Sequence, residues 1–177
     1  TIPVTSGQTI FVQAGAFGSS TGLYDLELEI ASDDFGNDDN SAFNVNLNRD
    51  GATDSPIQGQ IETPLDIDVF RFVTTEAGRL QIRQTQTGLN PVDPFLTVFQ
   101  LVDQERRFID FNDDSDGLNS LVEVDVREGE IIVVEAGAFS FSTGTYELSV
   151  TTIVADDVGN TIGDAQPTAL GDNGFAS

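Results

Sequence analysis

Apolar and acidic residues alternate without a break in Tyr24-Asp25-Leu26-Glu27-Leu28-Glu29-Ile30. A period of two is that of a strand with one face in a core and one in water. Tyr146, Leu148 and Val150 repeat the same inward set, and Val122, Val124 and Val126 alternate with Glu123, Asp125 and Arg127. The pattern predicts further strands near Ile57–Glu62, Asp66–Val73, Leu80–Thr87, Phe95–Val102 and Phe108–Asn112. Ile131–Ala136 is apolar on both faces, as a central strand is. No segment sustains a 3.6-residue period. Short strands separated by Gly, Asp and Asn predict an all-β antiparallel sandwich.

The chain also repeats itself. Gly7–Leu28 (GQTIFVQAGAFGSSTGLYDLEL) matches Gly129–Val150 (GEIIVVEAGAFSFSTGTYELSV) 122 residues later, with 13 identities over the 31 positions from Thr1 to Ala31. Asp33-Asp34-Phe35-Gly36-Asn37 recurs as Asp156-Asp157-Val158-Gly159-Asn160, with one residue inserted. A period of about 122 residues is that of a domain, too long for a solenoid coil. The organisation read from this is final strands of a preceding repeat over 1–31, an acidic linker over 32–55, a complete sandwich over 56–154, and a linker with the start of a following repeat over 155–177. Because the strand pattern is already under way at Thr1, the chain reads as a mature piece or a window of something longer.

Composition narrows the function. The 177 residues are 38% hydrophobic and include 13 Phe, enough to fill a core. The seven basic residues are all Arg; with 30 acids the net charge is −23. Such a charge repels phosphate backbones and anionic membranes, which argues against nucleic-acid partners and membrane insertion. His, Cys, Met and Trp are absent. Without His or Cys the usual general base and thiol nucleophile are missing, and no Ser lies in a nucleophile elbow. The sequence reads as a non-enzyme. Without disulfides, a bound cation is the natural stabiliser of an extracellular chain.

Several motifs resemble the bacterial pre-peptidase C-terminal (PPC) domain: Ile61-Glu62-Thr63-Pro64 leading into Asp66-Ile67-Asp68-Val69-Phe70-Arg71-Phe72, then Asp93-Pro94-Phe95-Leu96, Asn112-Asp113-Asp114, and Gly144-Thr145-Tyr146-Glu147-Leu148. The resemblance implies a jelly-roll-like β-sandwich that serves as a non-catalytic accessory module on secreted bacterial proteins. It also implies similarity to the collagen-binding domains of collagenases, in which an acidic linker and the adjoining domain hold Ca²⁺. Modules in tandem depart from the commonest setting and favour a structural or adhesive repeat at the cell surface, in an array or filament. The partners expected are neighbouring copies or repeats of the chain itself, and otherwise an extracellular polymer such as collagen or a polysaccharide. An accessory domain of a secreted hydrolase is a further reading.

Two groups of oxygen ligands are candidates for Ca²⁺. In the first, Asn112, Asp114 and Asp116 stand at positions 1, 3 and 5 of an EF-hand-like spacing, with Asp113 between them, Gly117 at position 6 and Glu123 at position 12. Such a loop converges hard oxygens on the ion while Gly permits the turn. Asp, Asn, Ser and Gly equally make a polar hairpin turn, and Glu123 also fits a solvent-facing strand position. The second group joins Asp33, Asp34 and Asn37 of the linker to Asp66 and Asp68, two apart on one predicted strand and so on one face. Phe70 and Phe72 continue that face, so two acids would border the core, where a cation relieves both their repulsion and their desolvation. Asp156, Asp157 and Asn160 are the equivalents for a following repeat. Most Phe residues fall on predicted strands and read as core. Phe17, Phe139 and Phe141 lie near a loop, where they cap the sandwich end or stack on a sugar or a neighbouring module.

Overall fold

The computed structural model describes residues 4, 7–28, 30 and 32–154; Asp156, Asp157 and Asn160 lie outside them. Nine strands are present: β1 (Phe43–Asn44), β2 (Ile57–Ile61), β3 (Asp68–Val73), β4 (Gly78–Gln86), β5 (Pro94–Val102), β6 (Glu105–Asn112), β7 (Ser120–Val126), β8 (Ile131–Ala138) and β9 (Gly144–Ile153). They form a five-stranded sheet, β1-β3-β8-β5-β6, and a four-stranded sheet, β2-β9-β4-β7. Every named pairing is antiparallel except the short β1–β3 contact. From β2 onward the chain changes sheet at each connection, apart from the β5–β6 hairpin, so the sandwich that the alternation predicted has the jelly-roll-like form that the resemblance implied. No helix occurs among the described residues, and none is long and apolar enough to cross a membrane.

The core follows from the period-two pattern. Phe70 and Phe72 of β3, Leu80 and Ile82 of β4, Leu96 and Val98 of β5, Val122 of β7, Ile132 and Val134 of β8, and Tyr146, Leu148 and Val150 of β9 are buried between the sheets. β8 lies in the middle of the larger sheet, between β3 and β5, which explains its apolar character on both faces.

The structure departs from the sequence reading in four respects. First, Asp66 lies in the turn before β3 instead of on it, because its amide closes a turn on the Thr63 carbonyl. Second, residues 33–55 contribute to the sandwich itself. Phe43 and Asn44 extend the sheet, the Phe35 ring lies 4.8 Å from Phe70 and 5.1 Å from Phe43, and Val45 is buried. Third, Tyr24–Leu28 and Ile30 form no strand; their apolar side chains are exposed, since they have no ladder or opposing sheet to bury them. Fourth, only some of the strand Phe residues are core. Phe95, Phe99, Phe108 and Phe111 lie on the outer face of the five-stranded sheet, opposite in phase to the buried Leu96 and Val98. Phe139 and Phe141, at the β8–β9 turn, are exposed as well.

One contact fixes the packing of β2 against β9. Gly59 stands directly opposite Tyr146, and the Tyr146 ring crosses its backbone so closely that a Cβ there would fall 2.3 Å from Cζ. Gly59→Ala must displace a wholly buried ring. Overpacking of this kind costs about 1–3 kcal/mol, and we expect a loss in that range in chemical denaturation. An unchanged midpoint would mean that the ring moves freely.

Candidate functional site

The edge of the sandwich near the start of β3 gathers five carboxylates. The 33–37 segment is held there by its backbone: the Val69 amide donates to the Gly36 carbonyl (3.0 Å), and the Ile67 amide donates to Asn37 Oδ1 (3.1 Å). Asn37 Nδ2 in turn donates to Asp33 Oδ2 (3.3 Å). β2 supplies the opposite wall, where the Gln60 amide donates to Asp34 Oδ2 (3.0 Å). Glu62 follows β2 directly, and its amide donates to Asp66 Oδ2 (2.9 Å). In this arrangement Asp33, Asp34 and Glu62 each offer an oxygen within 4.8 Å of the others, and so do Asp33, Asp66 and Asp68.

Asp68 is the deepest of the five. It is 0% exposed, and its Oδ2 accepts a hydrogen bond from the Tyr146 hydroxyl. Its other oxygen, Oδ1, is buried without a partner, as is Glu62 Oε2. An unpaired buried carboxylate oxygen is expensive, because water no longer solvates it and no donor replaces the water. Among the described residues no arginine forms an ion pair with any of the five acids.

The electrostatics follow. Burial first, and then the neighbouring carboxylates Asp34, Asp66 and Glu62, push Asp68 up to about 8 against the lowering effect of Tyr146. Burial, together with Asp66 and Asp34, pushes Glu62 up to about 8. Asp33 and Asp34 are raised less, again mainly by burial. Tyr146 is held protonated by burial and by Asp68. Burial and mutual repulsion thus favour the protonated forms of Asp68 and Glu62. All the donors are carboxylate, amide or carbonyl oxygens, the set preferred by hard ions such as Ca²⁺ and not by zinc or copper.

The sequence grouped Asp33, Asp34, Asn37, Asp66 and Asp68, and the structure brings them together. It adds Glu62 and Tyr146, which pattern reasoning did not select. The signal for Tyr146 was its recurrence as Tyr24 in the repeat. Glu62 carried none, since an acid at a strand end looks solvated.

The second group is arranged differently. Asn112 ends β6, and its Oδ1 accepts from the Leu121 amide (3.0 Å). Asp113 to Asn119 form the β6–β7 connection, closed by the Ser115 amide on the Asn119 carbonyl (2.8 Å), with Gly117 at φ +65°. Glu123 lies on β7, where it accepts from Arg79 (3.0 Å) and from Gln81. Asp113, Asp114 and Asp116 therefore stand in a loop to which Glu123 does not turn.

No family model matches the chain, and no curated protein matches its sequence. Among solved structures, it is similar to the pre-peptidase C-terminal domain of a collagenase from Bacillus anthracis, at 18% identity and a TM-score of 0.49, over 66% of this chain and all of that one. It is also similar to PliG of Aeromonas hydrophila, a periplasmic inhibitor of g-type lysozyme, at 14% identity and a TM-score of 0.45, over 63% of this chain and 96% of that one.

An acid whose pKa is raised by folding stabilises the protein fully below its unfolded value, near 4. That contribution is lost as pH climbs through the folded value, here about 8. In chelator, stability should therefore fall between pH 5 and 8, by up to about 1.4 kcal/mol per pH unit for one such group. Asp68→Asn keeps an acceptor for Tyr146 and removes the titration. Denaturation profiles of this variant in chelator should be flatter than wild type and lie above it at pH 8. Parallel profiles would exclude Asp68 as the titrating group.

Proposed function

We propose that the chain is a non-catalytic accessory module of a secreted or cell-surface protein, locked by one divalent cation, Ca²⁺, between Asp33, Asp34, Glu62, Asp66 and Asp68. The observation that carries this reading is that two oxygens of the cluster, Asp68 Oδ1 and Glu62 Oε2, are buried without a partner, with no basic group paired to the cluster among the described residues. A cation would replace the protons that burial favours and supply what both oxygens lack. It would also tie the 33–37 segment to β2 and β3 beyond the few hydrogen bonds that join them here. An ion that binds only the folded state adds about 2.7 kcal/mol at a hundredfold excess over its Kd. Millimolar Ca²⁺ should thus raise the melting temperature, and Asp68→Asn and Glu62→Gln should abolish most of the rise. A wild type that melts at the same temperature in Ca²⁺ and in chelator would overturn the assignment.

Within the same reading, the chain is one unit of a repetitive array or filament. The repeat supports this. Gly7–Leu28 resembles in sequence β8 and β9, whose apolar residues are central to both sheets. Tyr146 is fully buried, while its counterpart Tyr24 is 69% exposed. In the sandwich described, the β8 and β9 places are filled by 131–153. Residues 7–30 can be buried in the same way only against another sandwich of this kind, in a neighbouring repeat or a neighbouring molecule. Light scattering of the purified chain in millimolar Ca²⁺ and in chelator checks the intermolecular version: particles larger than a monomer are expected in Ca²⁺. A monomer at high concentration in both conditions would shift the reading to a polymer-binding or hydrolase-accessory module.

A further inference from the structure

The outer face of β5 and β6 carries a continuous row of aromatic rings. Phe95 stacks on Phe111 (centroids 5.6 Å apart, planes 24° apart), Phe111 meets Phe108 at 6.4 Å, and Phe108 meets Phe99 edge-on at 6.1 Å. Phe108 and Phe111 are three apart, and in a regular strand they would face opposite ways. A β-bulge opposite Val98 and Phe99 inserts Ile109 as the extra residue, which brings both rings to the outer face. Phe108 is 59% exposed and Phe111 53%. Exposed rings in a contiguous row mark an interaction site more often than chance placement does.

One end of the row already holds a cation. The Arg106 guanidinium lies 5.0 Å above the Phe99 ring and is neutralised by Asp39 (2.6 Å) and Glu135. The other end has the rings and the carboxylates without the cation. Asp93 precedes Phe95 by two residues, and Asp113 follows Phe111 by two. The fields of Asp114 and Asp113 act on Asp93 after its burial, and no arginine counters them. Exposed Phe139 borders this end, its backbone amide donating a hydrogen bond to the Asp93 carbonyl (2.8 Å). An open groove of about 210 Å³ begins at Phe95; Leu65, Ile67 and Ala138 give it apolar walls, and Asp66 and Glu135 line it too.

We propose that this end of the sheet docks a basic, partly apolar polypeptide segment of a partner. An Arg or Lys side chain would stack on Phe111 and Phe95 between Asp93, Asp113 and Asp114, with an adjoining apolar residue in the groove, as Arg106 stacks on Phe99 within the chain. A second copy is a poor occupant. It has seven Arg and no Lys to offer, and two of these, Arg79 and Arg106, are engaged in ion pairs. A neutral polysaccharide would use the rings and leave the carboxylates idle. The inference does not require a bound cation: the rings and Asp93, Asp113 and Asp114 lie outside the cation cluster, which the groove touches only at Asp66.

The test is fluorescence anisotropy with a labelled eight-residue peptide of alternating Arg and Leu, in chelator and at physiological salt, beside peptides of Asp and Leu and of Arg and Ser. The Arg–Leu peptide should bind best. Phe111→Ser, a half-exposed change on an edge strand, should weaken it at least tenfold, and Asp113→Asn with Asp114→Asn about fivefold. Removing two charges elsewhere, Asp25→Asn with Glu27→Gln, should change affinity less than twofold. Equal losses from both charge pairs would reveal a diffuse charge effect and overturn the site. So would an unaffected Phe111→Ser, no binding by the wild type, or tighter binding of a neutral polysaccharide that also depends on Phe111.

Discussion

The arrangement of this sandwich depends on one buried hydrogen bond, from the Tyr146 hydroxyl to Asp68. Tyr146 can reach Asp68 because β2 offers Gly59 beneath the ring. Asp68 opens the strand that carries Phe70 and Phe72 into the core, so the carboxylate is committed to the interior along with them. Once there, it has one satisfied oxygen and one that is not. The neighbouring acids make this worse for a bare protein and better for one that binds a cation. The same residues organise the entry of the chain into the sandwich.

That entry is more than a connector. Phe35 and Phe43 pack with Phe70, and the Arg71 guanidinium donates to Asn44 Oδ1, so aromatic packing holds the segment where the acids need it. Arg106 does the same further along, binding Asp39 of that segment to Glu135 of β8. In a chain with few cations, each arginine that meets carboxylates joins parts of the sequence far apart. The carboxylates left without one are the chemically informative ones.

The sheet edges are managed differently. β1 is two residues long and the bulge distorts β6, both of which discourage edge-to-edge pairing. The bulge has a second effect, since it builds the aromatic row on the outer face. The segment that repeats β8 and β9 forms no strand, and its apolar side chains, Phe17 and Leu23 above all, are exposed.

Residue order alone determined a good deal. Alternation placed the strands, because a half-buried sheet forces a period of two. The internal repeat marked Tyr146 and its glycine-rich approach. The acids of Asp33–Asn37 and Asp66–Asp68 were grouped because two carboxylates beside core phenylalanines need an explanation. Tertiary structure alone decided the rest. Glu62 became part of the cluster because the turn to Asp66 folds it inward. Glu123 left the loop spacing because its strand faces it toward Arg79. Phe95, Phe99, Phe108 and Phe111 turned outward because burial depends on which face of a strand meets the other sheet. A period of two gives alternation but not its phase, and neither a bulge nor a partner across the sandwich is written in local sequence.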